Sequence, residues 1–218
     1  MNDLVSIIML SRNKEQYLEA SVRSIMAQTY QNWELFFVDD ASKDDSISII
    51  LKLKEEDRKR SSVKDGSQFF DDSNLVDRIN VTKTTDYRGE THNRNYALRE
   101  ARGKWVAFLD AGEVWEPTKL EKQVAFMKEY GYAFSYTKYK SIDSYKRTLG
   151  IVMSGPEEIT YQDMKKCCWM GYLTVMYDRE KIGDLQVNGL EEANDYALWL
   201  QVARRSDCYL LPGTELRV

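Results

Sequence analysis

Two apolar runs in the chain end in acid. ELFFVDD closes on Asp39 and Asp40, and WVAFLDAGEVW carries Asp110 straight out of five mostly apolar residues, followed by Ala111, Gly112 and Glu113. A short apolar run without helical period is what a strand covered on both faces looks like, so each acid stands where such a strand emerges. In open α/β sheets ligands bind outside the carboxyl ends of the strands, and acids on two strand tips of one edge would share a crevice. Like charges gathered there raise one another's pKa unless a cation or a donor-rich ligand offsets them. Oxygen ligands alone suit Mg²⁺ or Mn²⁺, and such ions complete their shell with substrate phosphates. Asp44 and Asp45, in ASKDD, read instead as turn and cap residues.

Other chemistries find little support. No GxGxxG follows a strand and no GxxxxGK[ST] occurs, so neither a dinucleotide site nor a P-loop is indicated. His92 is the single histidine; a Ser-His-Asp triad would have to use it, and no GxSxG elbow accompanies it. Soft ligands are too few for a histidine-based zinc site. An Asp-Asp pair at a strand end also marks phospho-receiver domains, but there it follows the first strand and here the second.

The elements that must position these acids alternate. VSIIML (residues 5–10) is a first strand, and Tyr17, Leu18, Val22, Ile25 and Met26 give a helix running to Gln28 with Asn13 as its N-cap. ELFFVDD is the second strand, and Ile47, Ile50 and Leu51 mark a second helix. INVTK (residues 79–83) is the third strand, HNRNYALREAR a helix closed by Gly103, and WVAFLD the fourth strand, with Pro117 at the start of the next helix. This β-α-β-α order implies a doubly wound, largely parallel sheet flanked by helices. Residues 58–78, rich in charge, Ser, Gly and Asp, read as a mobile surface insertion. Beyond Gly131 the rhythm weakens: YAFSYTKY, YLTVMYD, a helix over residues 193–205 and CYLLP suggest an α+β second half.

The division expected is residues 1–130 and 131–218 as two halves of one domain. At 218 residues, with 43% hydrophobic content, the chain has enough apolar mass for such a core. A net charge of −4 argues against a general nucleic-acid binder. Three cysteines, Cys167 and Cys168 adjacent, form no CxxC and no even-numbered framework, which points to a reducing, cytoplasmic compartment. The first strand starts almost at Met1, with no basic-then-apolar leader to suggest secretion, so secretion is not expected. No apolar run approaches the roughly 20 residues of a membrane helix. The chain stops at Val218 soon after a strand, and a longer natural protein is expected.

Three blocks carry a resemblance: VSIIMLSRNKEQYLEASVRSIMAQTYQNWELFFVDDASKDDS, THNRNYALREARGKWVAFLDAGEVWEPTKLEKQ and NDYALWLQ. In this order and spacing the chain resembles, over nearly its whole length, the family 2 nucleotide-sugar glycosyltransferases of GT-A fold. The resemblance implies transfer of a sugar from a nucleoside diphosphate, UDP in the first instance, to an acceptor hydroxyl with inversion. It places Ser11, Arg12 and Asn13 at the nucleotide, and the Asp39-Asp40 pair at the base, with Asp40 accepting from a uracil-type imide N–H. It sets Arg94 near the diphosphate, Asp110 at the metal and donor, and Asp195, ahead of Tyr196 and Trp199, as general base. A Mg²⁺ or Mn²⁺ ion and a glycan or lipid-linked saccharide acceptor are implied, in polysaccharide biosynthesis. Peripheral association with the inner face of a membrane and self-association stay open.

Two departures stand out. The family's Asp-x-Asp-Asp falls on Asp110-Ala111-Gly112-Glu113, so glycine replaces a metal ligand. Glu113 is the nearest substitute, with a side chain longer than aspartate by no more than about 1.5 Å, and Gly112 would let the backbone bring it inward. At the first strand tip the family's Pro-x-Tyr-Asn is Leu10-Ser11-Arg12-Asn13, where Arg12 has a planar group able to stack on a base. The missing ligand supports an alternative, a nucleotide-sugar-binding domain with little or no catalysis.

Overall fold

The computed structural model describes residues 3–64, 77–142, 148–187 and 194–217. β1 (Val5–Ser11) leads through α1 (Glu15–Met26) to β2 (Trp33–Asp39) and α2 (Ser46–Lys64), then to β3 (Ile79–Lys83), α3 (Glu90–Glu100) and β4 (Trp105–Phe108). The four strands are parallel in the order β3-β2-β1-β4. α4 (Lys119–Tyr130), β5 (Phe134–Ile142), β6 (Thr148–Met153), β7 (Glu158–Ile159) and α5 (Tyr161–Met164) follow. The chain then passes a 3-10 turn (Tyr172–Thr174) to β8 (Met176–Asp178), α6 (Arg179–Ile182), α7 (Asn194–Ala203) and β9 (Cys208–Arg217). The sheet continues through β8, β5, β9 and β7, with β6 on β5. β8 runs antiparallel to both β4 and β5, so the sheet is flanked by helices and parallel through its first four strands, as expected, and becomes mixed beyond β4.

Each face of β1 feeds its own core. Val5, Ile7 and Met9 pack with Leu18, Val22 and Ile25 of α1, Ile50 and Leu53 of α2, and Leu120, Val124 and Met127 of α4. Ile8 points to the other face, with Ala97 and Leu98 of α3 and Tyr172, Trp199 and Val202 of the second half. A strand buried on both faces has no polar side to show, which explains the unbroken apolar runs.

Several boundaries differ from the sequence reading. α2 extends to Lys64, so residues 58–64 of the expected insertion are helix, carried by acidic and basic residues at helical spacing such as the Arg58–Glu55 ion pair at 3.0 Å. Residues 65–76 lie outside the described residues. The N-cap of α1 is Lys14, without a side-chain cap; Asn13 has a left-handed φ of 52° and serves another purpose. α3 ends at Glu100, and Gly103 does not close it. Gly103 lies where a Cβ would come within 2.6 Å of the Leu4 carbonyl, so glycine allows the chain to pass against β1. The apolar segment YLTVMYD is strand only from Met176, its first residues being the 3-10 turn.

Candidate active site

β1 pairs with β2 on one side and β4 on the other. The chain leaves β1 toward β2 and β3, then crosses back to β4, so strand order reverses between β1 and β4. That switch point is where an α/β sheet opens a crevice at its carboxyl edge. A cavity of about 360 Å³ lies there, lined by Leu10, Ser11, Arg12 and Lys14 after β1, Asp40 after β2, Tyr87, Glu90 and Asn93 around the start of α3, and Asp110 and Ala111 after β4.

The strand-end acids hold different stations. Asp39 is fully buried, and its carboxylate accepts from the Ser42 N–H at 2.9 Å and from the Ser42 hydroxyl. It shapes the turn in which Ala41 has a φ of 55° and does not line the cavity. Asp40 does, and it accepts from Arg88 N–H at 2.8 Å, Gly89 N–H at 3.0 Å and the Thr84 hydroxyl at 3.2 Å. Burial opposes its ionisation, but the donors Arg88, Asn93, Gly89 and Thr84 outweigh it and the pKa is lowered. Asn13 stitches two strand tips together: its N–H donates to Ser42 Oγ at 2.8 Å and its Oδ1 accepts from Lys43 N–H at 2.9 Å. Asp44 accepts from Glu15 N–H and Ser46 N–H, the turn and cap role expected of it.

The turn after β4 and the start of α4 are held by α1 and the residues that follow it. Ser21 and Ser24 share a face of α1 by their spacing, and Gln28 lies two residues past its end. Gly112 N–H donates to Ser21 Oγ at 2.9 Å, Trp115 N–H to Ser24 Oγ at 3.2 Å and Leu120 N–H to Gln28 Oε1 at 3.0 Å. Within the turn, Glu113 N–H donates to the Asp110 carbonyl at 3.1 Å, and Glu113 Oε2 accepts from Asp110 N–H at 2.9 Å. Gly112 has a φ of 122°, a region that side chains disfavour. A Cβ there would meet nothing closer than Tyr17 Cβ at 3.9 Å, so the obstacle to another residue is backbone conformation and not space. Gly112→Asp, which restores the family's acid, should therefore lower stability by about 1–3 kcal/mol. Thermal unfolding measures this; an unchanged melting temperature together with tighter Mn²⁺ binding would show that the turn accepts the acid.

Asp110 and Glu113 form a poorly solvated pair. Burial raises Asp110 to about 7, with Glu90 and Asp195 adding to the shift and Arg94 and Lys14 opposing it. Burial and then the charge of Asp110 raise Glu113 to about 8, against the hydrogen bond it takes from Asp110 N–H. Negative charge in excess of its local cations is what a divalent ion would relieve. Asp110 fits such an ion, whereas Glu113 has one oxygen committed to the turn. Among the described residues no group of three acidic, histidine or cysteine side chains is placed to hold a metal, so substrate oxygens would have to complete the shell.

Arg94 is no solvated helix arginine. It is 2% exposed, lies over the Tyr172 ring at 4.8 Å and donates from Nε to Tyr172 Oη at 3.3 Å. Burial opposes its charge, but Tyr172, Asp110 and Asp195 raise its pKa. Asp195 reaches this neighbourhood through α7. Trp199 is buried edge-on against Phe108 of β4 at 4.9 Å between centroids, and Asp195, one turn earlier on the same helical face, is thereby directed toward the end of β4. Its Oδ1 accepts from Tyr196 N–H at 2.8 Å. Asp110, Arg94 and Asp195 thus act on one another electrostatically, but of the three only Asp110 lines the cavity with Asp40.

Four lining residues escaped the sequence reading: Lys14, Tyr87, Glu90 and Asn93. Arg12 lies over the Tyr87 ring at 4.2 Å, a planar pair at the cavity rim. No motif signals Tyr87; only the closeness of the β3–α3 connection to the β1 tip does.

Residues 6–167 match the model of glycosyl transferase family 2. The chain belongs to this family. Among its family relatives, the Escherichia coli UDP-Glc:alpha-D-GlcNAc-diphosphoundecaprenol beta-1,3-glucosyltransferase WfgD is 34% identical over 92% of this chain and 70% of its own length. The fold is GT-A. S. aureus TarS 1–349 in complex with UDP superposes with a TM-score of 0.75 at 19% identity, over 98% of this chain and 60% of that one. The mannosyltransferase PcManGT from Pyrobaculum calidifontis, in complex with GDP-Man and Mn²⁺, gives a TM-score of 0.64 at 17% identity, over 98% and 56%. The chain therefore spans less than two thirds of the length of these two solved structures. Among the described residues of this family 2 chain, no helix is long and apolar enough to cross a membrane.

Proposed function

We propose that this chain transfers a sugar from a nucleoside diphosphate, UDP foremost, to an acceptor hydroxyl with inversion at the anomeric carbon. The observation that carries this reading is the crevice between β1 and β4, lined by Asp40 and Asp110, with the charges of Arg94 and Asp195 acting on Asp110. Asp195 takes the acceptor proton as the hydroxyl oxygen bonds to the anomeric carbon. The bond from that carbon to the diphosphate breaks on the opposite face, and its electron pair leaves with the phosphate oxygen. Arg94, buried and cationic, lies where negative charge grows on the departing group. A divalent ion held by Asp110 and diphosphate oxygens would add positive charge there.

The WfgD name makes a lipid-linked saccharide the acceptor class to test first. A second reading, donor binding without transfer, draws on Gly112 and on the commitment of Glu113 to the turn. Calorimetry of UDP with and without Mn²⁺, followed by assay of UDP-sugar turnover, separates them. Metal-enhanced binding with turnover is the expected result. Metal-independent binding without turnover favours the second reading, and absence of UDP binding overturns both.

A further inference from the structure

Tyr172, in the 3-10 turn, touches Arg94 and the residues that seat Asp110 and Asp195. Arg94 lies over its ring at 4.8 Å and donates from Nε to its hydroxyl at 3.3 Å. Its ring centroid is 5.0 Å from that of Phe108, two residues before Asp110, and 6.0 Å from that of Trp199, one turn after Asp195. The turn that carries it is itself fixed: Trp115 Nε1 donates to the Leu173 carbonyl at 2.9 Å and Gln123 Nε2 to the Thr174 carbonyl at 3.0 Å. The residue type matters chemically. Burial outweighs the opposing charge of Arg94 and raises the Tyr172 pKa, so the hydroxyl stays neutral and holds a guanidinium without cancelling its charge. A carboxylate in the same place would hold Arg94 and neutralise it. The ion pair with Glu90, at 3.9 Å and with the Glu90 side chain 69% exposed, is a weak competitor.

Resting on the proposed transfer reaction, we infer that Tyr172 is a positioning residue of this site: its ring and hydroxyl hold Arg94 in place as a cation, and its contacts with Phe108 and Trp199 tie that cation to the elements carrying Asp110 and Asp195. Arg94 is buried and is not among the residues lining the cavity. Its effect on the departing diphosphate is therefore one of charge, and it depends on where that charge stands. Negative charge on the diphosphate grows as the bond to the anomeric carbon breaks, so a displaced Arg94 costs more in the transition state than in the donor complex. Tyr172 acts through Arg94 and touches no reacting atom.

The test is a double-mutant cycle with Tyr172→Phe, Arg94→Gln and the two combined. It is read as UDP release from whichever of UDP-glucose, UDP-galactose and UDP-N-acetylglucosamine the wild type turns over, beside calorimetry of UDP and thermal unfolding. Tyr172→Phe keeps the ring against Phe108 and Trp199 and removes the acceptor of Arg94. Its kcat should fall roughly 10–100-fold, the range for a hydrogen bond to a charged group, with donor KM and UDP affinity close to wild type. In the Arg94→Gln background the same substitution should cost little more, because the residue through which Tyr172 acts is gone. Arg94→Lys keeps the charge without the Nε–H donor and should fall about as far as Tyr172→Phe, which decides the matter if the tyrosine variant melts early. An equal fall in both backgrounds, or a lower melting temperature with kcat unchanged, makes Tyr172 a packing residue; either overturns the inference and leaves the reaction intact. A wild-type chain that binds UDP but turns over none of the three donors overturns the reaction and the inference together.

Discussion

Asp195→Asn is expected to lower turnover by about 10²–10⁴-fold, the usual contribution of a positioned general base, with UDP affinity nearly unchanged. That range corresponds to roughly 3–5 kcal/mol of barrier. The substitution is close to isosteric, and Oδ1 can still accept from Tyr196 N–H. Trp199 remains seated on Phe108, so the start of α7 keeps its place. What asparagine lacks is basicity. Single-turnover kinetics with saturating UDP-sugar, paired with calorimetry of UDP, give the two numbers required. Near-normal turnover in the variant would remove Asp195 from the chemistry, and a parallel fall in UDP affinity would assign it to binding.

The second large effect is on stability as pH changes. Asp110 and Glu113 are raised from ordinary values of 3.8 and 4.5 to about 7 and about 8. Both carboxyls hold protons more tightly in the folded chain than in the unfolded one. The folded state therefore carries more protons across this window, and stability is lost as pH rises from about 4 to about 8. Their contribution is complete below the unfolded values and gone above the folded ones. A divalent ion competes with those protons, so metal affinity rises over the same window, and the ligand-bound chain recovers stability in proportion to occupancy. Melting temperature measured from pH 5 to pH 8, alone and with Mn²⁺ and UDP, should fall without ligand and flatten with it. Asp110→Asn should flatten the unliganded curve. Identical slopes in wild type and Asp110→Asn would mean that the pair is solvated and ionised throughout.

Strand placement could be read from the chain because burial on both faces leaves a signature without ambiguity: β1, β2, β3 and β4 all lie where apolar, β-branched runs occur. The acids at their tips followed from the same pattern, and so did their sharing of one edge. Roles at those tips were less legible. Asp39 and Asp40 are adjacent and chemically identical, yet one is locked to Ser42 and the other lines the cavity; alternation along the strand separates them, and only the backbone after β2 shows which way each faces. The helix through Lys64 was obscured by its charge, because a solvated helix and a charged loop have similar composition. Asn93 had no signal beyond its place beside Arg94, since lining a cavity is a property of surroundings and not of spacing.

The hydrogen-bonded ladder from β1 through β4 and β8 to β5 joins the first four strands to those of the second half of the chain without interruption. A continuous sheet provides no hinge there, because swinging one half against the other would tear backbone pairs along β4 and β8. Domain closure of the two-lobed kind is therefore not available to this architecture. Any rearrangement that ligand binding requires would therefore fall to the segments at the carboxyl edge, with the sheet beneath them as a fixed platform.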